Sequence, residues 1–209
     1  MKKVKSSSSN IVLIGGGGHC ISCIEVLKHS KQYTILGILD KFSDLNKVSD
    51  YDYLGDDSRL EDLRNECENA LICIGQIKDP GPRKRIFEKL KELDYILPTI
   101  LSPHSYISEN NQIGEGSIIM NNCFINSHVQ IGVNCIINNR SHLEHEVIIG
   151  DNCHISTSSV INGNVTVGDN VFIGSNSTIG NGVNIGDHCV IGAGLFVSKD
   201  IENGTVLKK

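Results

Sequence analysis

The sequence has no tryptophan, only 5% aromatic residues, and no excess of positive charge. A core built with so few rings calls for thin, regular layers of small branched side chains. A formal net charge of −5 excludes a generally basic nucleic-acid-binding surface. After the basic start Met1-Lys2-Lys3-Val4-Lys5 and the serines Ser6 to Ser9, no apolar run is long enough for a signal-peptide core or a membrane span. Residues 1–9 are therefore expected to be a disordered leader, and the cytoplasm is the expected compartment. The eight cysteines have no secretory context that would make them a disulfide framework.

What is plentiful is glycine, with 21 residues, and a period of six. From Leu101 the chain divides into hexads without an insertion. Their first residues are Leu101, Ile107, Ile113, Ile119, Ile125, Ile131, Ile137, Leu143, Ile149, Ile155, Ile161, Val167, Ile173, Ile179, Ile185, Ile191 and Val197, all branched aliphatics. The second position is often glycine, as at Gly114, Gly132, Gly150 and Gly168, which suits a corner that needs positive φ or close backbone approach. The fifth is small or β-branched and includes Cys123, Cys135, Cys153 and Cys189, read here as packing residues. Such a period is not helical. It predicts a chain wound into a prism of short parallel strands, three hexads to a coil, over residues 101–209.

The preceding stretch, residues 10–100, predicts an α/β domain. Asn10–Ile14 reads as a buried strand, followed by Gly15-Gly16-Gly17-Gly18-His19, a helix over Ile21–Lys31, and a second strand, Thr34–Leu39, closed by Asp40. A glycine-rich turn between strand and helix lets backbone amides approach a phosphate, and the acid closing the next strand completes a Rossmann-like pattern. A third strand, Ala70–Ile74, leads to Gly75-Gln76, and a helix from about Pro82 to Leu93 carries Arg83, Lys84 and Arg85. Three strands are too few for a dehydrogenase domain, which points to a truncated nucleotide-sugar-binding unit. Cys20-Ile21-Ser22-Cys23 opens a helix outside a thioredoxin context, so it is read as packing rather than a redox pair.

The hexads resemble the hexapeptide-repeat family of left-handed parallel β-helices. Combined with the glycine-rich loop, Leu39-Asp40, Ile74-Gly75 and Leu143-Glu144-His145-Glu146, they resemble the sugar acyltransferases of that family. These include N-acetyltransferases of nucleotide-linked 4-amino sugars and sialic-acid O-acetyltransferases. The resemblance implies acetyl-CoA as co-substrate, no metal, and a homotrimer with active sites between adjacent subunits. It implies His145 as general base with Glu146 as its orienter. His154, Gly163, Ser175 and Ala193 would meet the CoA arm, Ala193 standing where relatives often have glycine. Gly17, Gly18, His19, Asp40, Lys41, Gly75, Gln76 and Asn138 would surround the nucleotide-linked sugar, with Lys41 and Gln76 differing from the commonest residues there.

Histidine suits the chemistry, because the attacking amine or hydroxyl must lose a proton near neutral pH. His145 occupies the third position of its hexad, where side chains point outward, and it has carboxylates on both sides. Two further readings compete with N-acetylation: O-acetylation of a sialic-acid-like sugar, and a zinc hydrase on the same solenoid with His142, His145 and His154 as ligands. A non-catalytic relative would have no use for the His145–Glu146 pair.

Overall fold

The structure, a computed structural model, describes residues 9–41, 47–77 and 79–208. Most of the expected leader therefore lies outside the described residues, although Ser9 already belongs to the first strand. The front domain runs β1 (Ser9–Ile14), α1 (Gly18–Ser30), β2 (Tyr33–Leu39), β3 (Lys47–Val48), β4 (Tyr51–Gly55), α2 (Leu60–Leu63), β5 (Asn69–Ile72) and α3 (Gly81–Glu92).

The sheet order is β3-β4-β2-β1-β5, five strands where three were expected. The additional pair is the hairpin β3–β4, whose short segments carry no long apolar run. Strand β1 pairs in parallel with β2 on one side and β5 on the other. The chain reverses its direction of travel across the sheet at β1, so the carboxyl ends of these strands open a crevice, the usual ligand position in such sheets.

From Ile100 the chain winds through two-residue strands in three sheets of seven, six and five strands. Each strand pairs in parallel with its equivalents one coil away, as Ile119 does with Leu101 and Ile137. The first-position aliphatics and the fifth-position valines and cysteines form one continuous core, with Cys123, Cys135, Cys153 and Cys189 all buried in it. This is the left-handed parallel β-helix of hexapeptide repeats that the period of six predicted.

The corners depart from expectation in one respect. Positive φ falls on the fourth hexad position, at Asn122, Asn134, Asn152, Asn164, Asn170 and Asn176 among others, and not on the second-position glycines. Asparagine tolerates this left-handed conformation better than most residues. The glycines answer close approach instead. A Cβ on Gly132 would lie 2.7 Å from the carbonyl carbon of Gly150. The same corner carries a ladder in which Asp151 and Asp169 each donate a backbone N–H, at 2.8 Å, to the carboxylate of the aspartate one coil on, Asp169 and Asp187.

The front domain is not a separate bead. Its β-sheet and α1 share a core with Ile100, Ile118, Met120 and Ile136, which project outward from the seven-stranded solenoid sheet. Full burial of an aliphatic side chain stabilises by about 1.5–3 kcal/mol, so this shared layer fixes the two parts together. Arg83 on α3 seals the seam. It is 1% exposed and donates to the carbonyls of Ile72 (2.7 Å), Ile74 (3.0 Å), Asn134 (3.2 Å) and Gly116 (3.3 Å). Among the described residues no helix is long and apolar enough to cross a membrane.

Candidate active site

A cleft of about 790 Å³ opens at the carboxyl ends of β1, β2 and β5, against the solenoid. Every residue the sequence assigned to the sugar nucleotide lines it: Gly17, Gly18, His19, Asp40, Lys41, Gly75, Gln76 and, from the solenoid, Asn138. The glycine loop is shaped by β2, for Asp40 accepts the backbone N–H of Gly16 on its carboxylate. Gly15 has φ +102° and no room for a side chain beside Ile74, whereas a Cβ on Gly17 or Gly18 would meet nothing within 4 Å. The chain itself does not require glycine at these two positions. The open space in front of them lies in the cleft, at the N-terminus of α1, where unpaired amides favour an anion.

Sequence reasoning gave no role to Arg85, Ser22, Asp57, Asn139 and Thr157, which also line the cleft. Arg85 was visible only as one cation of a basic run, and its approach to the glycine loop depends on how α3 packs.

The seam wall of the cleft carries a directional hydrogen-bond chain. The backbone N–H of Asn139 donates to Asn138 Oδ1 at 2.8 Å, which turns Asn138 Nδ2 toward His154 Nε2 at 3.1 Å. His154 Nδ1 meets the carbonyl of Gln76, which only accepts, so the ring proton sits on Nδ1. Gln76 Nε2 in turn donates to the carbonyl of Asn152 at 2.8 Å, leaving its Oε1 buried and unpaired. His154 is 6% exposed, and burial drives its pKa down to about 4, with the Gln76 carbonyl opposing. It is therefore a neutral group on the cleft wall with both ring nitrogens engaged. It lines the cleft between Gln76 and Asn138, at the end that Asn139 and Thr157 also line.

His145 lies elsewhere, exposed at the corner that follows strand His142–Leu143. Its Nδ1 is 3.2 Å from Glu146 Oε2, while Cε1 and Nε2 lie over Gly163. Glu146 has φ +59°, the left-handed turn that sets its carboxylate beside the preceding imidazole. A second pair stands next to it, His142 Nε2 to Glu144 Oε1 at 2.8 Å. Glu144 is pinned by Asn126 Nδ2 at 2.7 Å, and that bond, followed by His142, holds its carboxyl below the usual range. Gly163 sits one coil beyond His145, directly beneath its imidazole.

Ser175 and Ala193 belong to a different corner. The N–H groups of Ser158, Asn176 and Gly194 donate to the carbonyls of Asn139, Thr157 and Ser175 at 3.0, 3.0 and 2.9 Å. Asn139, Thr157, Ser175 and Ala193 thus form one column that leaves the cleft and runs along the solenoid. Within one chain the His145 corner and this column flank the six-stranded sheet from opposite sides. The histidines His142, His145 and His154 do not converge. Among the described residues no three such side chains form a ligand set.

The family models match the chain in three stretches: the PglD N-terminal domain over residues 10–90, the bacterial transferase hexapeptide of six repeats over 128–163, and the hexapeptide repeat of succinyl-transferase over 164–199. The chain joins a PglD-type N-terminal domain to the hexapeptide repeats of bacterial transferases, an acyltransferase architecture. PerB from Caulobacter crescentus, solved with CoA and GDP-perosamine, is 29% identical over 95% of this chain and 93% of its own, with a TM-score of 0.89. The acetyltransferase domain of PglB from Neisseria gonorrhoeae FA1090, solved with acetyl coenzyme A, shares the fold at 23% identity, covering 95% of both chains, with a TM-score of 0.89. WeeI from Acinetobacter baumannii AYE shares it at 16% identity over 96% of this chain and 97% of its own, with a TM-score of 0.59. No curated protein sequence matches this acyltransferase.

Proposed function

We propose that this enzyme transfers acetyl from acetyl-CoA to the amino group of a nucleotide-linked 4-amino-4,6-dideoxy sugar. The observation that carries the reading is the cleft. It gathers the glycine loop, Asp40 and Gly75-Gln76 of the front domain against Asn138 of the solenoid, with Lys41 and Arg85 as cations near the α1 N-terminus. That constellation suits a diphosphate with a sugar reaching toward the solenoid. The similarity to PerB, whose bound ligand is a nucleotide-linked amino sugar, supports it. Sialic-acid O-acetylation would leave the nucleotide features without a role.

In this reading residues 10–100 hold the nucleotide and residues 101–209 carry the chemistry. His145 Nε2 takes the proton from the attacking amine while Glu146 fixes Nδ1 and stabilises the imidazolium. The amine nitrogen bonds to the thioester carbon, the C–S bond breaks, and the proton passes to the departing sulfur. The Thr157–Ser175–Ala193 column offers a track for the CoA arm, with Gly163 beside the base.

The cleft and His145 lie apart within one chain, so the reading includes a homotrimer that carries one subunit's His145 to its neighbour's cleft. The six-stranded sheet between them presents a stacked ladder of Tyr106, Phe124 and His142, with ring centroids 4.9 and 4.6 Å apart, and a Phe196 that is 70% exposed. Such a surface suits burial against another subunit. The enzyme is placed in the cytoplasm, where eight unpaired thiols persist.

The test is purified protein with acetyl-CoA and a panel of GDP-, UDP- and dTDP-linked 4-amino sugars beside free sialic acid, read by product mass and fragmentation. An amide on one nucleotide-linked sugar is expected. An ester on sialic acid, with no amide formed, would replace this reading by O-acetylation. Light scattering should give three times the 22.8 kDa chain mass.

A further inference from the structure

The carboxyl ends of the front sheet stand in a row. The strand order β4-β2-β1-β5 puts Gly17 and Gly18 after β1, Asp40 after β2, Asp57 just beyond β4, and Gly75 and Gln76 beyond β5. These four strands run parallel, so their ends open on one side, and all of these residues line the cleft. Neighbouring strands lie about 4.8 Å apart, which sets the β4 end roughly 10 Å from the glycine loop. A nucleotide with its diphosphate at the α1 N-terminus and its ribose at the acid closing β2 therefore carries its base to β4. Its sugar runs the opposite way, past β5 to Asn138.

Asp57 stands at that end. It is half-buried, and among the described residues no hydrogen bond or ion pair reaches its carboxylate. Its backbone is held in place. Lys89 Nζ donates to its carbonyl at 2.9 Å, and Asp56 caps the turn Asp57–Arg59 by accepting the Ser58 N–H at 2.9 Å. Arg59, the nearest cation in sequence, is turned to Asp62 at 3.7 Å. Tyr53 links Asp57 to the acid closing β2, for its hydroxyl donates to the Asp40 carbonyl and the charges of Asp40 and Asp57 both act on it. A bare carboxylate on an open surface would simply be solvated. This one lines a cleft of about 790 Å³. Pro82 and Ile86, on the face of α3 that Lys89 turns to Asp57, add apolar surface for a ring to that same cleft.

We propose that Asp57 reads the nucleobase, and that the base is guanine. A carboxylate only accepts hydrogen bonds, through two oxygens side by side. Its match is a planar group with two adjacent donors. The Watson–Crick edge of guanine offers that pair, N1–H beside the N2 amino group. Uracil and thymine offer a single N3–H between two carbonyls, so a carbonyl oxygen faces the second carboxylate oxygen and repels it. Adenine and cytosine set a ring acceptor beside their amino group, with the same result. The substrate is then a GDP-linked amino sugar. This assignment of the base rests on the nucleotide reading of the cleft.

Binding of GDP, UDP, dTDP and xanthosine diphosphate to the full chain is measured by calorimetry, for the wild type and for Asp57→Asn. A bidentate base contact discriminates by about tenfold to a hundredfold, so the wild type should hold GDP tighter than the other three by that factor. In Asp57→Asn the amide keeps one acceptor and gains one donor. That suits xanthine, whose N1–H adjoins a C2 carbonyl. The preference should turn over from GDP to xanthosine diphosphate, with the affinity for UDP unchanged. A merely structural role for Asp57 would lower all four affinities together. UDP or dTDP bound by the wild type as tightly as GDP overturns guanine and leaves the nucleotide reading standing. A variant that still prefers GDP to xanthosine diphosphate overturns Asp57 as the reader. A wild type that takes none of the four sinks the nucleotide reading, and the assignment of the base with it.

Discussion

The imidazole of His145 rests on the α-carbon of Gly163, so closely that a methyl group there would lie 2.6 Å from both Cε1 and Nε2. Glycine at this corner makes room for the imidazole. Gly163→Ala should push the ring outward and away from Glu146 while the coil beneath is kept. A misplacement of this size costs up to ~10²-fold in rate. The expected result is a fall in kcat of that order with the KM for the sugar nucleotide nearly unchanged, checked by steady-state kinetics and by circular dichroism.

Removing the proposed base outright should cost more. His145→Ala deletes an exposed side chain outside the solenoid core, so folding and assembly should persist. General-base catalysis contributes ~10²–10⁴-fold, and kcat should drop on that scale. Glu146→Gln should cost less, since the ring remains but loses its charged partner. A His145→Ala enzyme with near-wild-type kcat would move the role to the neighbouring His142–Glu144 pair.

Gly17 is a glycine that the fold does not need. It caps α1 in an extended conformation, with φ −76°, and a Cβ would find open space. Gly17→Val should leave thermal stability close to wild type and raise the KM for the sugar nucleotide, with the KM for acetyl-CoA little affected. Equal loss for both substrates would contradict the assignment of this loop.

His154 should make the protein acid-sensitive. Its pKa falls from the ordinary 6.5 to about 4 on folding, because the front domain strips it of water. Between those values the unfolded chain binds a proton that the folded chain refuses. The stability contribution is complete above pH 6.5 and is lost as the pH falls toward 4, with a slope approaching ~1.4 kcal/mol per pH unit. Urea unfolding of wild type and His154→Asn across this window should show the steeper decline in the wild type. Identical slopes would mean that His154 is solvated in the folded protein.

Much of this was legible before any coordinates. One aliphatic every six residues can satisfy burial only if each sixth side chain faces a common axis, so Ile119, Ile137 and Ile155 determined the solenoid and its register. Strand, glycine loop, helix and closing acid likewise determined that Gly17, Gly18 and Asp40 would line one cleft, because their placement is local to one βαβ unit. The corners were read less well. Sequence offered glycine as the candidate for positive φ, but the left-handed residue is the asparagine-rich fourth position.

Tertiary structure decided what depends on the docking of distant segments. Nothing in sequence separates Ile118 or Ile136, which face outward from the solenoid into the front-domain core, from outward residues that meet solvent. Nothing in its hexad marks His154 as buried, and only the covering front domain desolvates it and locks its tautomer against Gln76. Arg83 and Arg85, two residues apart on one helix, were indistinguishable cations until packing sent one into the seam and the other to the cleft. In the same way Cys73 shares a core with Cys20 and Cys23 only because β5 lies beside β1. Local spacing carries the contacts a single repeat or turn can make. Contacts between elements far apart in the chain depend on desolvation and packing, which no local pattern encodes.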